Sequence, residues 1–315
     1  MNALQQEYHD ALSGMQSRSI LVIGDMVADI YLDGRISRIS REAPVLVLEQ
    51  AGEKVVAGGA ANVVNNIATL GGKVHAVGLV GRDKSADGLR EILAANGADV
   101  RGLIADDSRP TISKTRIIAG GRATVSQQIV RIDRESKAPM APAVEAELRA
   151  YIKSILPTVE GVVISDYGSG TVTEGLQALL IDYCRAHDIP SIVDSRYAVR
   201  RFHGIGYVKQ NDAEIAAAKG VLVTRGELGM VLVEHGAVHE IPVSDKSEVF
   251  DVSGAGDTCV AAVILALAAG VAPATAARLS NIASGIAVRK LGTSTVSVRE
   301  LAEAIEKSRE EYTSK

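Results

Sequence analysis

The sequence predicts a three-layer α/β/α protein with a mostly parallel central sheet and a small second β-sheet that acts as a lid. Apolar, strand-like runs alternate with amphipathic helical stretches along most of the chain, which is typical of a parallel sheet covered by helices on both faces. Two segments, at about 30–50 and 111–132, have strand patterns with no intervening helix. The last third of the chain is helical in pattern, as expected for the layers that cover the final strands.

The elements follow one another in a regular order. After an amphipathic helix within residues 1–17, Ile20–Ile23 is a continuous apolar run of the kind seen in buried parallel strands. Further strand-like runs lie at 74–79, 161–165, 191–194, 207–209 and 221–224. Helical patterns lie at about 85–96, 142–155, 172–186, 212–218, 255–269, 273–290 and 298–311. Pro142 suits the first turn of its helix, where the missing N–H has no intrahelical partner.

The two segments without helices predict a separate small sheet, called the lid below. Gly120–Gly121 lies between two strand-like arms and indicates a hairpin. A sheet at one edge of an α/β core can cover a cleft and exclude water, which suits phosphoryl transfer. Its exposed edge also invites pairing with a second copy, so we expect a homodimer through the lid.

Length and composition suit one domain over residues 1–315 and exclude several classes of protein. With 47% hydrophobic residues in 315, the chain can bury a large core. A total of 34 Lys and Arg against 38 Asp and Glu gives a net charge of −4, which creates no global field for nucleic acid. The apolar run Cys259–Ala269 is shorter than the roughly 18 to 20 residues of a membrane span. We therefore expect a cytoplasmic protein with neither nucleic acid nor membrane as a partner.

The segment that combines the most small and polar residues, Asp251–Asp257, precedes the apolar helix near the C-terminus. The N–H groups of Gly254, Ala255 and Gly256 would lie at a helix N-terminus, which favours an anion such as a transferring phosphoryl group. The same helix end would keep Asp257 ionised, so that it could accept a proton from an attacking hydroxyl. The alternative is an ordinary helix with an aspartate in its first turn.

A second helix start built of small residues is Ala57–Asn62, which offers another helix N-terminus to a polar ligand. Asp25 and Asp29 follow the first strand, at the carboxyl end where open α/β sheets bind ligands. A carboxylate there can accept hydrogen bonds from sugar hydroxyls. The alternative is that each aspartate caps the backbone of its own turn.

Gly58–Gly59, Ser253–Asp257, Gly78-x-x-Gly81-x-Asp83 and Asn211-x-x-Glu214 together form a set of motifs. With these motifs, nearly the whole chain resembles the ribokinase-like, or PfkB, carbohydrate kinases. Segments 25–29, 37–44, 165–167 and 291–297 are similar to the heptose 7-phosphate kinases of lipopolysaccharide-core synthesis. Because the chain ends after the kinase, it resembles their stand-alone form rather than the form followed by a nucleotidyltransferase domain.

The resemblance implies an ATP-dependent kinase that phosphorylates O1 of D-glycero-β-D-manno-heptose 7-phosphate and uses Mg²⁺. It makes Asp257 the catalytic base and the Gly254–Gly256 amides the anion hole. The sugar-binding residues that it implies are Asp29, Gly58, Gly59, Asn62 and Asp166. Those for the nucleotide are Asn211, Glu214, Thr224, Gly226, Gly229 and Asn281. Glu214 would reach Mg²⁺ through water, and Asp251 with Ser253 match positions at which some relatives hold a monovalent cation such as K⁺.

Basic residues in the lid independently favour a sugar that already carries a phosphate. Lys114 and Arg116 share one face of a predicted strand, Arg131 lies on the partner arm and Arg38 lies on the other lid segment. Guanidinium groups bind phosphate bidentately. The alternative is a solvated, charged lid surface that discourages edge pairing.

Two other functions remain open on the sequence. One is a kinase of the same family that acts on another sugar phosphate, a ketose or a nucleoside. The sequence differs from the heptose kinases at Arg41, Ser169 and Ser195, and these differences bear on sugar specificity more than on catalysis. The other is a nucleotide- and sugar-binding module without turnover, which would have little need of Asp257. A GxxxxGK[ST] loop and a GxGxxG after a strand are both missing, so P-loop ATPases and dinucleotide-binding enzymes are disfavoured.

Overall fold

The computed structural model describes residues 3–120, 126–197, 199–210, 218–243 and 249–312. Its helices are α1 (Ala3–Met15), α2 (Ala60–Thr69), α3 (Lys84–Ala95), α4 (Pro142–Ile155), α5 (Glu174–Ala186), α6 (Ala255–Ala268), α7 (Pro273–Ala287) and α8 (Val298–Tyr312). Its strands are β1 (Ser19–Gly24), β2 (Met26–Ile39), β3 (Leu46–Gly59), β4 (Lys73–Val80), β5 (Asp99–Ala105), β6 (Ile112–Gly120), β7 (Gln127–Arg134), β8 (Gly161–Asp166), β9 (Ser191–Ser195), β10 (Tyr207–Gln210), β11 (Gly220–Thr224), β12 (Met230–Glu234) and β13 (Ala237–Ile241).

A nine-stranded sheet forms the centre, in the order β13-β12-β11-β10-β9-β8-β1-β4-β5. The strands from β11 to β5 in this order pair in parallel, and only the β12–β13 hairpin adds antiparallel pairs. The predicted mostly parallel sheet is therefore confirmed. The carboxyl ends of β1, β8, β9, β10 and β11 share one edge of this sheet, because parallel strands end on the same side.

Helices cover both faces of the sheet and produce the predicted three layers. Ile20 and Val22 of β1 face one core cluster, while Leu21 and Ile23 face the other. This explains the unbroken apolar run, since successive side chains of a strand point to opposite faces and both faces here are covered. α4 and α5 supply the second cluster, and the other helices pack on the first.

The helix predicted at 255–269 is α6, which is buried between α2, α7 and the central sheet. Within the described ranges, no helix combines the length and the apolar character needed to cross a bilayer.

The lid is a four-stranded sheet in the order β3-β2-β6-β7, which confirms the predicted second sheet. Its strands β2 and β3 are longer than predicted, because β2 begins directly after β1 and β3 continues to the first residue of α2. The antiparallel pairing of β6 with β7 agrees with the predicted hairpin, although Gly121 lies outside the described residues. The helix predicted at 212–218 falls almost entirely outside them too.

Candidate active site

The start of α6 is shaped by glycine. Gly254 precedes the helix with a φ of 80°, a left-handed conformation that glycine adopts without steric cost. A Cβ at this position would lie 2.7 Å from Nδ2 of Asn62, so the missing side chain also lets α2 approach. Glycine has no side chain to cap a helix, and α6 has no side-chain cap, although the N–H of Ala255 donates to the Val252 carbonyl oxygen at 3.3 Å. A helix start without a side-chain cap can receive an anion.

The two predicted helix starts face each other through Asn62 and Asp257. Nδ2 of Asn62, in the first turn of α2, donates a 2.8 Å hydrogen bond to Oδ2 of Asp257, in the first turn of α6. Nδ2 of Asn66 donates to Oδ1 of Asn62 at 3.3 Å, and Oγ1 of Thr258 donates to Oδ1 of Asn66 at 3.0 Å. This chain of bonds orients the Asn62 amide so that its N–H points at the carboxylate.

The Asp257 carboxyl group is almost fully buried, with 7% of the residue exposed. Burial raises its pKa to about 6, and the nearby Asp194 carboxylate raises it as well, whereas the Asn62 bond and the Lys209 charge oppose the shift. The sequence predicted that the helix end would keep this group ionised. Burial has the stronger effect, yet Asp257 remains mostly ionised above pH 6 and can still accept a proton.

Lys209 is a buried cation that the sequence analysis missed. Its Nζ donates to Oδ2 of Asp194 at 2.9 Å, and a Cβ added at Gly256 would lie 2.7 Å from the same Nζ. Burial is the largest effect and lowers the pKa of Lys209, but the charge and hydrogen bond of Asp194, together with the charge of Asp257, outweigh it and the net shift is upward. An ammonium group therefore lies beside the first turn of α6. The available signal was a lysine that follows Tyr207 and Val208 in a predicted buried strand.

At the base of the lid, Asp29 and Arg116 form a close ion pair. Nη1 of Arg116 donates to Oδ1 of Asp29 at 2.7 Å, and only 5% of the Asp29 side chain is exposed. A Cβ at Gly58 would overlap Oδ2 of this carboxylate. Gly59 has a φ of 53°, and a Cβ there would lie 2.8 Å from the Asp25 carbonyl oxygen. Glycine is therefore required at both positions for the close approach of β3 to β2.

The predicted basic residues of the lid do not all lie at this site. Lys114 is close to it, with its Nζ 5.6 Å from the ring centroid of Tyr167. Arg131 pairs with Asp133 on the exposed strand β7, and Arg38 is exposed in the outer part of β2. The structure thus brings Lys114 and Arg116 to Asp29 and leaves the other two arginines on the lid surface.

The aspartates at the carboxyl ends of β1 and β8, Asp25 and Asp166, have structural contacts. The Asp25 carboxylate accepts hydrogen bonds from the backbone N–H groups of Tyr167, Ser169 and Thr171 at 2.8 to 3.3 Å. Asp25 therefore caps backbone, although that of another segment rather than of its own turn.

The carboxylate of Asp166, the last residue of β8, is likewise engaged within the protein. It accepts hydrogen bonds from Oγ of Ser195, Nη2 of Arg201 and the N–H of Gly168 at 2.8 to 3.1 Å. Its assignment to the sugar stays a prediction.

Several of the residues predicted to bind the nucleotide lie at or near the carboxyl end of β11. Thr224 ends β11, and Gly226 and Gly229, with φ values of 56° and 83°, begin and follow the short helical turn after it. Nδ2 of Asn281 in α7 donates to the Pro242 carbonyl oxygen at 2.6 Å. The remaining two predicted residues, Asn211 and Glu214, lie outside the described residues.

The Asp251 carboxylate is held at the loop before α6. It accepts from the N–H groups of Ser253 at 2.9 Å and Gly292 at 3.0 Å. Burial raises its pKa, but the hydrogen bonds from these neighbours outweigh this and the net shift is downward. In the part of the chain that the structure describes, no group of three or more His, Cys, Asp and Glu side chains could hold a metal ion.

Comparisons with known proteins agree with this geometry. The family model described as "pfkB family carbohydrate kinase" matches residues 17–300. The bifunctional protein HldE of Azorhizobium caulinodans is 39% identical over 323 residues, covering 94% of this chain and 66% of that protein. HldE of Geobacter sulfurreducens is 40% identical over 309 residues, covering 89% and 61%. The chain thus spans about 61 to 66% of the length of these curated relatives.

Solved structures share the fold at low sequence identity. Phosphofructokinase-2 from Escherichia coli, in complex with substrates and products, matches with a TM-score of 0.71 and 19% identity, covering 93% of this chain and 99% of that one. Ribokinase from Arabidopsis thaliana, complexed with ribose and ATP, matches with a TM-score of 0.67 and 16% identity, covering 92% and 99%. The fold is therefore ribokinase-like.

Proposed function

The chain belongs to the pfkB family of carbohydrate kinases, and from that premise we propose that it transfers the γ-phosphoryl group of ATP to O1 of D-glycero-β-D-manno-heptose 7-phosphate. The observation that carries the chemistry is the contact of Asn62 with Asp257, which brings the two glycine-bounded helix starts to one place. The similarity to two HldE proteins at about 40% identity supports the heptose phosphate as acceptor and a role in lipopolysaccharide-core synthesis.

In the proposed reaction Asp257 is the general base. Its carboxylate takes the proton of the acceptor hydroxyl as the new O–P bond forms, and the bond between the γ-phosphorus and the ADP oxygen breaks. In a loose transition state the proton moves late, so a carboxylate with a pKa of about 6 is a sufficient base. The N–H groups of Gly254, Ala255 and Gly256 and the ammonium group of Lys209 stabilise the charge on the transferring group.

The acceptor would lie between α2 and the base of the lid. We assign Asp29 and Asn62 to the sugar hydroxyls, and Gly58 and Gly59 to the close backbone approach that admits it. Arg116 already donates one N–H to Asp29. Its guanidinium group has further donors for the phosphate of the sugar, with Lys114 as a second cation.

The nucleotide would lie on the side of β11 and α7, against Thr224, Gly226, Gly229 and Asn281. We propose that Glu214 would hold Mg²⁺ through water and that Asn211 would serve the phosphates, whose charge the ion would neutralise. Mg²⁺ commonly keeps several waters and takes few protein ligands, so a single carboxylate that acts through water is chemically reasonable. Asp251 and Ser253 remain our candidates for the monovalent cation.

A homodimer through the lid is part of the same proposal. β7 is an edge strand, and its Val130 and Ile132 are 45% and 50% exposed. Ile39 at the far end of β2 is 67% exposed. Apolar side chains along an open sheet edge suit pairing with a second copy. Light scattering on the purified protein, with Ile132→Lys as the disrupting variant, measures the mass of the assembly.

The test of the function is a coupled ADP-release assay over a panel of acceptors: the heptose 7-phosphate, fructose 6-phosphate, ribose and a nucleoside. ³¹P NMR of the product identifies the oxygen that has been phosphorylated. We expect turnover to be highest with the heptose phosphate and the new phosphate to be on O1. Activity confined to a nucleoside or an unphosphorylated ketose would reject the heptose assignment, and ATP binding without turnover would favour a binding module.

A further inference from the structure

Tyr167, the residue after β8, contacts the proposed base directly. Its hydroxyl donates a 3.2 Å hydrogen bond to Oδ1 of Asp257, while Asn62 donates to Oδ2 of the same carboxylate. Both carboxylate oxygens therefore have a donor within the protein. The carboxylate cannot rotate about its Cβ–Cγ bond without losing both hydrogen bonds.

The ring of Tyr167 is itself held from several sides. Its backbone N–H donates to Oδ2 of Asp25 at 2.8 Å, and the Lys114 ammonium group of the lid lies 5.6 Å from the ring centroid. A Cβ added at Gly59 would lie 3.5 Å from the ring atom Cε2. The core, the lid and the start of α2 thus each limit where the hydroxyl can point.

The charges around this pair make the tyrosine a donor rather than an acceptor. The Asp257 charge is the largest cause that raises the pKa of Tyr167 well above its ordinary value, burial and the Asp194 charge add to it, and Arg196 opposes it. The phenol therefore stays protonated at neutral pH. On Asp257, burial and Asp194 raise the pKa, whereas Asn62, Lys209 and the Tyr167 hydrogen bond lower it.

We propose that Tyr167 is a positioning residue, which holds the Asp257 carboxylate ionised and in a fixed orientation toward the acceptor hydroxyl. The proposal rests on the function of Asp257 as the base. Tyr167 and Asn62 each fill one lone pair of the carboxylate, so the remaining lone pairs keep a constant direction. A hydrogen bond to a charged group is worth more than one between neutral groups, and this additional stabilisation is lost when Asp257 is protonated.

Tyr167→Phe keeps the ring and removes only the donor. We expect the acid limb of the kcat/KM profile to move up by roughly one pH unit, which is about a 10-fold loss of kcat/KM below the limb. The KM values for ATP and sugar should stay within about 2-fold of wild type on the alkaline plateau. The phosphate groups of ATP and of the sugar also titrate in this pH range, but they affect the profiles of wild type and Tyr167→Phe equally. Tyr183→Phe, whose ring stacks on His187 in α5, is the matched control and should leave the profile unchanged.

A second variant covers the case in which Tyr167→Phe does not fold. Replacing Tyr167 by 2,3-difluorotyrosine keeps the shape and makes the phenol a stronger donor, so the acid limb should move to lower pH. A Tyr167→Phe profile that superimposes on that of wild type, or a difluorotyrosine limb that does not move to lower pH, would overturn the proposal. Neither result would affect the base itself, because that assignment fails only if Asp257→Asn retains turnover.

Discussion

Asn62 and Asp257 are 195 positions apart in the chain, yet the amide of one donates a 2.8 Å hydrogen bond to the carboxylate of the other. Both side chains stand in the first turn of a helix and both are buried. The bond therefore joins the helix start that we assign to the sugar with the helix start that we assign to the transferring phosphate. A kinase needs these two sites within bonding distance of one another.

Replacing the base without changing its shape should separate chemistry from binding. We expect Asp257→Asn to lower kcat by ~10² to 10⁴, the usual contribution of a general base. ATP affinity should change by less than a few fold, because backbone N–H groups and Lys209 supply the proposed phosphate contacts. ADP release measures kcat, and titration with a fluorescent ATP analogue measures ATP affinity. Turnover near that of wild type would remove Asp257 from the mechanism.

The same carboxylate should reduce folding stability at neutral pH. Its pKa is about 6 in the folded protein against an ordinary 3.8, so between these values the folded state holds a proton that the unfolded chain has lost. Stability therefore falls as pH rises through this window. Asp257→Asn should be more stable than wild type by about 1–3 kcal/mol near pH 7.5 and by much less near pH 4. Urea unfolding at both pH values tests this, and an equal difference at both would contradict it.

Arg116 should serve the acceptor rather than ATP. We expect Arg116→Gln to raise the KM for the phosphosugar by more than 10-fold, a loss of about 1.4 kcal/mol or more, and to leave the KM for ATP within about 2-fold. It should also lower Tm, because the buried Asp29 carboxylate loses its partner. Arg131→Gln is the control, since Arg131 lies opposite Arg116 in the β6–β7 register but pairs with Asp133 at the surface. If Arg116→Gln raised the KM for ATP as much as the KM for the phosphosugar, the assignment of Arg116 to the acceptor would be wrong.

Lys209 should act on the transferring phosphoryl group. We expect Lys209→Met to lower kcat/KM for ATP by ~10² to 10³, the range for loss of one preorganised donor at a developing charge. Lys219→Met removes an exposed lysine that pairs with Asp188 and should change little. Initial rates at varied ATP, with Tm measured on each variant, make the comparison. A folded Lys209→Met protein with wild-type ATP kinetics would contradict this role.

The sequence predicted elements best where one strand or helix carries its own signal. The run Ile20–Ile23 is unbroken because both faces of β1 are covered, and α4 begins at Pro142 as expected. β5 was not predicted, because this edge strand has buried apolar side chains only near its end, at Leu103 and Ile104. A strand that is stabilised mainly by contacts with its neighbours has a weak hydrophobic pattern of its own.

The alternation of strands and helices, the two helix starts rich in small residues and the kinase family could all be predicted from the amino-acid sequence. The tertiary fold was needed to show that Tyr167 and Lys209 lie near Asp257, that Asp25 holds the turn after β8, and that Arg38 and Arg131 stay on the lid surface. The bond from Tyr167 to Asp257 joins residues 90 positions apart. Such contacts depend on the order in which strands pair and on how far the lid strands extend. Hydrophobic periodicity records which face of an element is buried, and not which distant element covers it.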